Sequence, residues 1–188
     1  MYGLGSYGGN GGRRSYFPLQ SSADGIFHTT HEASEPIRYQ KPVRISQVTD
    51  GLSQTLLFGE RSHSDFNYKT FNEAGWGEEL AKWGWWGAST SRKMIGHVTM
   101  SSHAPLNYRV PFSFAQRANQ SPPADSFAVF NATYVDLRIC AFGSNHPGGA
   151  NLTFCDGSTQ FLNDDLSHRL FVNMTTRAAG DAGTPGSP

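Results

Sequence analysis

Long apolar runs, clustered charge and paired metal-binding motifs are all missing from this 188-residue sequence. Its apolar stretches reach about four or five residues, far short of the ~20 that cross a bilayer as a helix. No membrane span and no export signal is therefore read within it. Fifteen basic and fifteen acidic residues cancel to zero formal charge, with no basic cluster beyond pairs such as Arg13-Arg14. Nucleic acid is excluded as a partner, because holding a phosphate backbone needs clustered Lys and Arg. Cysteine is scarce: Cys140 and Cys155 stand without a C-x-x-C or paired histidines, which excludes a zinc finger. The two could close one disulfide in an exported chain or remain two buried thiols. There is also no G-x-S-x-G elbow, no phosphate loop between a strand and a helix, and no EF-hand spacing.

Glycine (21) and proline (10) are abundant, and charged residues make up only 16%, a composition that suits short strands and long turns better than a helical bundle. Residues 1–25, rich in Gly, Ser and Asn and carrying Tyr2, Tyr7, Tyr16 and Phe17, read as an irregular segment pinned by aromatics. Pro42-Val43-Arg44-Ile45 reads as a strand or extended arm, and Ile45 to Val48 as a short helical turn. Gln54 to Glu60 is short, apolar and bounded, as a buried strand is. Residues 62–92 form a Trp- and Gly-rich insertion, and 93–127 are proline-containing loops with at most edge strands. Val135, Leu137, Ile139 and Ala141 alternate with Tyr134, Asp136, Arg138 and Cys140, which predicts a strand.

Asp156-Gly157 lies between two strand-like runs and predicts a β-hairpin with a two-residue loop. That register pairs Leu152 with Phe161 and puts Leu152, Phe154 and Phe161 on one face. Asn163-Asp164-Asp165 reads as the cap of a short C-terminal helix extending to about Arg177, with Leu166, Leu170, Phe171 and Met174 at helical spacing. The fold class is α+β, mainly an antiparallel sheet with long loops and that helix. Residues 1–177 read as a single globular domain with a variable Trp/Pro-rich insertion at 62–127, and 178–188 as a flexible tail.

Two segments carry a resemblance. Ile45-Ser46-Gln47-Val48-Thr49-Asp50-Gly51-Leu52-Ser53-Gln54-Thr55-Leu56-Leu57-Phe58-Gly59-Glu60 is similar to the signature I-x-x-(I/V)-T-D-G-x-S-(N/Q)-T-(L/I)-x-x-G-E. His146-Pro147-Gly148-Gly149-Ala150-Asn151 through Asp156-Gly157-Ser158 to Phe161 is similar to H-P-G-G-(A/V)-N-x-x-(F/L)-x-D-G-S-(V/T)-x-F, with nine residues between His146 and Asp156. Both belong to the DUF1559, or H-X9-DG, family of prepilin-type, processing-associated proteins abundant in Planctomycetes. Ser6-Tyr7-Gly8-Gly9-Asn10-Gly11-Gly12 resembles that family's S-Y-x-x-N-x-G stretch. The resemblance implies a pseudopilin-like globular part without the family's N-terminal prepilin helix. It implies an exported, envelope or extracellular setting, and self-association or other pilin-like subunits as partners. It implies no catalytic residue, and whether the chain is an enzyme stays open, leaning against.

The candidate residues weigh as follows. Asp50, Gly51, Glu60, His146, Gly148, Gly149, Asp156 and Gly157 are structural-motif residues. His146 and Asp156 are not expected to share a ligand, since five strand residues span ~16 Å. Calcium is the metal considered, by fold-level analogy with secretion pseudopilins, with Asp50, Asp156, Asp164 and Asp165 as ligands; no cofactor is certain. Glu60 is expected partly buried against Arg44 or Arg138. His28, His31 and Glu32 have the wrong order for a zincin. Trp76, Trp83, Trp85 and Trp86 either cluster under a long loop or offer a partner or glycan surface. A structural or interaction protein is the preferred reading; a secreted glycan-binding module and a metal-dependent hydrolase are the alternatives.

Overall fold

The structure is a computed structural model describing residues 5–15, 21–28, 41–76, 80 and 98–180. Its frame is a sheet of five strands: β1 (Tyr7–Asn10), β2 (Leu56–Glu60), β3 (Thr99–Met100), β4 (Gly149–Phe154) and β5 (Thr159–Asn163). They lie in the order β3-β1-β2-β4-β5, antiparallel except for the short β1–β3 pairing. The helices are α1 (Phe66–Glu73), α2 (Phe127–Phe130), α3 (Asp136–Cys140) and α4 (His168–Thr175), with a π-helical turn at Asn131–Val135 joining α2 to α3. The class is α+β with a short C-terminal helix, as the composition and patterning predict. Among the described residues no helix is long and apolar enough to cross a membrane.

The two signature segments form one unit. β2 pairs with β4, and both ends of the pair are clasped. At one end the Cys155 and Asp156 amides donate to the Thr55 and Leu52 carbonyls at 2.8 and 3.1 Å. At the other, the Asn151 amide donates to the Glu60 carboxylate at 2.7 Å. The inner face of the sheet packs Leu56, Ala150, Leu152 and Phe154 against Met100, Leu106, Phe142 and the Phe171 and Met174 side chains of α4. Asn10, fully buried, bridges these layers: its amide nitrogen donates to the Leu56 and Thr175 carbonyls, and its oxygen accepts from the Gly12 amide. A second core, rich in aromatics, lies between α1 and the α2–α3 run, where the Phe71 and Phe130 rings stack at 3.7 Å.

Five expectations need correction. β1 lies inside the stretch read as irregular. Three of the four residues of Tyr-Gly-Gly-Asn have low strand propensity, yet neighbours fill the space the glycines leave: Phe27 lies over Gly9, and Met100 sits against Gly8. Residues 134–141 are mostly helical, not a strand. Ser126 caps the run by accepting from the Val129 amide, and Asp136 and Arg138 are buried by pairing rather than turned to solvent. The C-terminal helix is capped by Ser167, not by 163–165, and ends at Thr175.

The hairpin register is shifted by one residue. The loop is the three residues Cys155-Asp156-Gly157, with Gly157 at φ +88° and the Phe154 amide bonded to the Ser158 carbonyl. Leu152 therefore faces Gln160, and Asn151 faces Phe161. A one-residue slip moves a side chain to the other face, so Phe161 is on the outer face, 51% exposed, and Leu162 packs against the inner core. Pro42 to Arg44 form no strand, while Ile45–Gln47 is the expected helical turn, of 3-10 type.

A row of side chains on the outer face as candidate functional site

Tyr7 on β1 pairs with Glu60 on β2, the Glu60 carboxylate bonds Asn151 on β4, and Asn151 pairs with Phe161 on β5. Cross-strand partners share a face, so these four side chains form one row across four strands. Phe58, two residues before Glu60 and so on the same face, meets the tilted Phe27 ring at 5.1 Å between centroids; this part of the outer face is covered. The two ends of the row are open, Tyr7 being 55% and Phe161 51% exposed, and its centre at Glu60 and Asn151 is part-buried.

Its polar centre is fixed. One Glu60 carboxylate oxygen accepts from the Asn151 backbone amide at 2.7 Å and its side-chain amide at 3.3 Å. The other lies 3.3 Å from His146 Nε2, and the Glu60 side chain is only 13% exposed against 57% for His146. The His146 loop is held from below. Arg109 donates to the Ser144 carbonyl at 2.8 Å and to Ser62 Oγ at 3.1 Å. Ser62 donates to Asn145 at 2.8 Å, and the Ser144 hydroxyl donates to the Gly149 carbonyl at 2.6 Å and accepts from the His146 amide. Asn107 accepts from the Ser144 amide at 2.8 Å and donates to the Gly149 carbonyl. Burial holds the Arg109 guanidinium below its usual value, partly offset by the Asp65 carboxylate. Gly148, at φ +79°, makes the bend, and Gly149 is small because a Cβ there would run first into the Leu162 carbonyl and then into the Phe161 ring at 2.8 Å.

The other predicted residues are spent on the frame. Asp50 accepts from the Ala179 and Gly180 amides at 2.8 and 3.0 Å, so the start of the expected tail is tied down. Gly51, at φ +100°, turns the chain beside it. Asp156 accepts from the Ser158 amide and hydroxyl, which lowers its carboxyl below the usual value. Asp164 accepts from Asn107 at 3.2 Å, and Asp165 is exposed. Asp50, Asp156, Asp164 and Asp165 are thus not brought together, and no group of three or more His, Cys, Asp or Glu converges among the described residues. Glu60 meets His146 rather than Arg44 or Arg138. Arg138 pairs instead with Asp65 at 2.8 Å, both side chains buried.

Cys140 and Cys155 are free thiols, not a disulfide. Burial pushes Cys140 up to about 12 and Cys155 to about 11, so neither is poised as a nucleophile. Trp76 packs on the aromatic core with Arg117 over its ring. Trp83, Trp85 and Trp86, like His31 and Glu32, lie outside the described residues, while His28 bonds the Lys41 carbonyl. Sequence reasoning missed Tyr7, Asn107, Arg109 and Phe161 as parts of a site. A three-residue loop count would have placed Phe161 outward; nothing in the sequence marks Arg109.

No curated protein and no solved structure matches the chain. The profile of one family, described as protein of unknown function (DUF1559), matches residues 3–168. That span takes in both signature segments and the row they build, and the chain belongs to the DUF1559 family.

Proposed function

We propose that the chain is a non-catalytic, pseudopilin-like structural and interaction component of the bacterial cell envelope, or of a secretion- or pilus-type assembly. One observation carries this reading: the signature residues bond one another. Asp156 and Gly157 close a turn, and Asn151, Glu60 and His146 lock the strand ends. Such bonds build a rigid frame that presents a surface, whereas a reaction needs a nucleophile or acid aimed at a substrate. The prepilin-type resemblance of the two signature segments supports the reading, and the partners it implies are further copies or pilin-like subunits. The test is fractionation of the tagged, full-length gene product in its own host, with a photo-crosslinker at Tyr7 or Phe161. The expected result is envelope or extracellular recovery with crosslinks to envelope components; recovery in the cytosol alone refutes it.

A further inference from the structure

We infer that the row Tyr7–Glu60–Asn151–Phe161, with His146 beside it, binds a neutral carbohydrate chain laid across the strands. The inference rests on reading the protein as an interaction component and names what one of its surfaces takes. Three features point to this ligand class.

The first is the pair of aromatic rings. Phe161 lies over Gly149, which leaves it half exposed at a fixed position, and Tyr7 is exposed at the far end of the row. Three strand spacings separate them, ~14 Å, a span of several sugar rings. The apolar faces of pyranose rings stack on such platforms, as other C–H-rich surfaces do.

The second is the hydrogen-bonding centre between the rings. The Asn151 carboxamide and the exposed His146 imidazole, both oriented by the Glu60 carboxylate, together supply donors and acceptors, which is what a polyol requires. They are held in place before any ligand arrives: the Asn151 amide fixes Glu60, and Arg109, Ser62, Ser144 and Asn107 hold the loop bearing His146. Preorganised polar groups lose little on binding, which favours a weakly interacting ligand.

The third is charge. Glu60 is the one carboxylate in the row and is already matched by His146 at 3.3 Å and by two Asn151 N–H groups. No unmatched charge within the row would draw an ionic partner, and an acidic sugar would meet the carboxylate head on. The protein's zero formal charge adds no long-range pull of either sign.

The experiment titrates cellohexaose, laminarihexaose, xylohexaose and N-acetylchitohexaose into the 15N-labelled chain, with hexagalacturonate as the acidic comparison. Expected are amide shifts at Tyr7, Asn151 and Phe161 with at least one neutral probe. Tyr7→Ala and Phe161→Ala are each expected to weaken that binding about tenfold, the scale of one aromatic contact. Both sites are exposed, and a thermal melt confirms that the variants fold. The inference is overturned if no neutral probe shifts the row, if both variants bind like the parent, or if hexagalacturonate binds more tightly. It is equally overturned if sedimentation shows the row buried between two copies in a dimer that Phe161→Ala dissolves. None of these failures touches the envelope location, which fractionation reads separately.

Discussion

Removing one partner of the Arg138–Asp65 pair should cost far more than removing both. Arg138 Nε donates to Asp65 at 2.8 Å, and its other nitrogen donates to the Ser62 and Ser64 carbonyls at 3.0 and 3.2 Å. Asp65 also accepts from the Tyr68 amide, capping α1, and from the Val110 amide, both at 3.0 Å. Each side chain is 2% exposed. Arg138→Met leaves a buried carboxylate with two amide donors and the half-buried Arg109 guanidinium as its remaining support. Asp65→Asn keeps much of the cap but strands a buried guanidinium, which burial already pulls down to about 10 and which Asp65 partly restores. An uncompensated buried charge of this kind costs about 3–5 kcal/mol. At about 2–4 °C per kcal/mol for a chain of this size, each single variant should melt roughly 6–20 °C below the parent. The double variant Asp65→Asn/Arg138→Met removes both charges of the pair and should lie above the sum of the singles, by about 1–3 kcal/mol of coupling. Urea unfolding followed by circular dichroism reads all four proteins, provided the denaturant slopes agree. Singles below about 1 kcal/mol, or a double equal to their sum, would show that this pair does not join α1 to the α2–α3 run energetically.

Glu60→Ala removes the acceptor of a part-buried backbone amide and should cost about 1–3 kcal/mol, with broadened amide signals across 144–149; Glu60→Gln keeps an acceptor and should cost less. Gly157→Ala should cost about 1–2 kcal/mol, because φ +88° is unfavourable for an L side chain, and Gly157→Asn less, read by chemical denaturation. Burial holds His103 below the usual imidazole range, with Asp136 pulling the other way, and burial also lowers His28. The unfolded chain therefore takes up protons first as pH falls through 6.5, and stability should decline from there toward the folded pKa values. His103→Gln should shallow that decline, and an unchanged slope between pH 7 and 5 would refute the assignment.

The frame was legible where local chemistry and tertiary packing agree. The short apolar run of β2 and the Asp-Gly between β4 and β5 each name their element, and the two signature segments prove to be mutual contacts. It was illegible where a partner far along the chain decides. β1 has two glycines and owes its strand form to Phe27, Met100 and the bonds of Asn10. The alternation over 134–141 imitates a strand because Asp136 and Arg138 look solvent-facing in sequence, whereas Arg14 and Asp65 neutralise them in the interior. Helix α1 carried a readable signal, with Asp65 at its cap and Tyr68 and Phe71 three residues apart, hidden by the Trp- and Gly-rich surroundings. For the site, Glu60 and His146 stood out singly. That they meet, and that Tyr7 and Phe161 flank them, follows from strand order and from one residue in a loop count.

The Gly143 amide donates to the Glu60 carbonyl at 2.8 Å, just where the chain leaves β2 and where it returns toward β4. The long excursion from 61 to 142 thus departs and re-enters through one doorway. Its length hardly bears on the frame, since doubling a flexible loop costs only ~0.6 kcal/mol of closure entropy. It also carries its own aromatic core. The stretches on either side of β3 can therefore change length behind a closed doorway, whereas Met100, Leu106 and Phe142, which the excursion lends to the inner core, are bound to the chassis and not to the cargo.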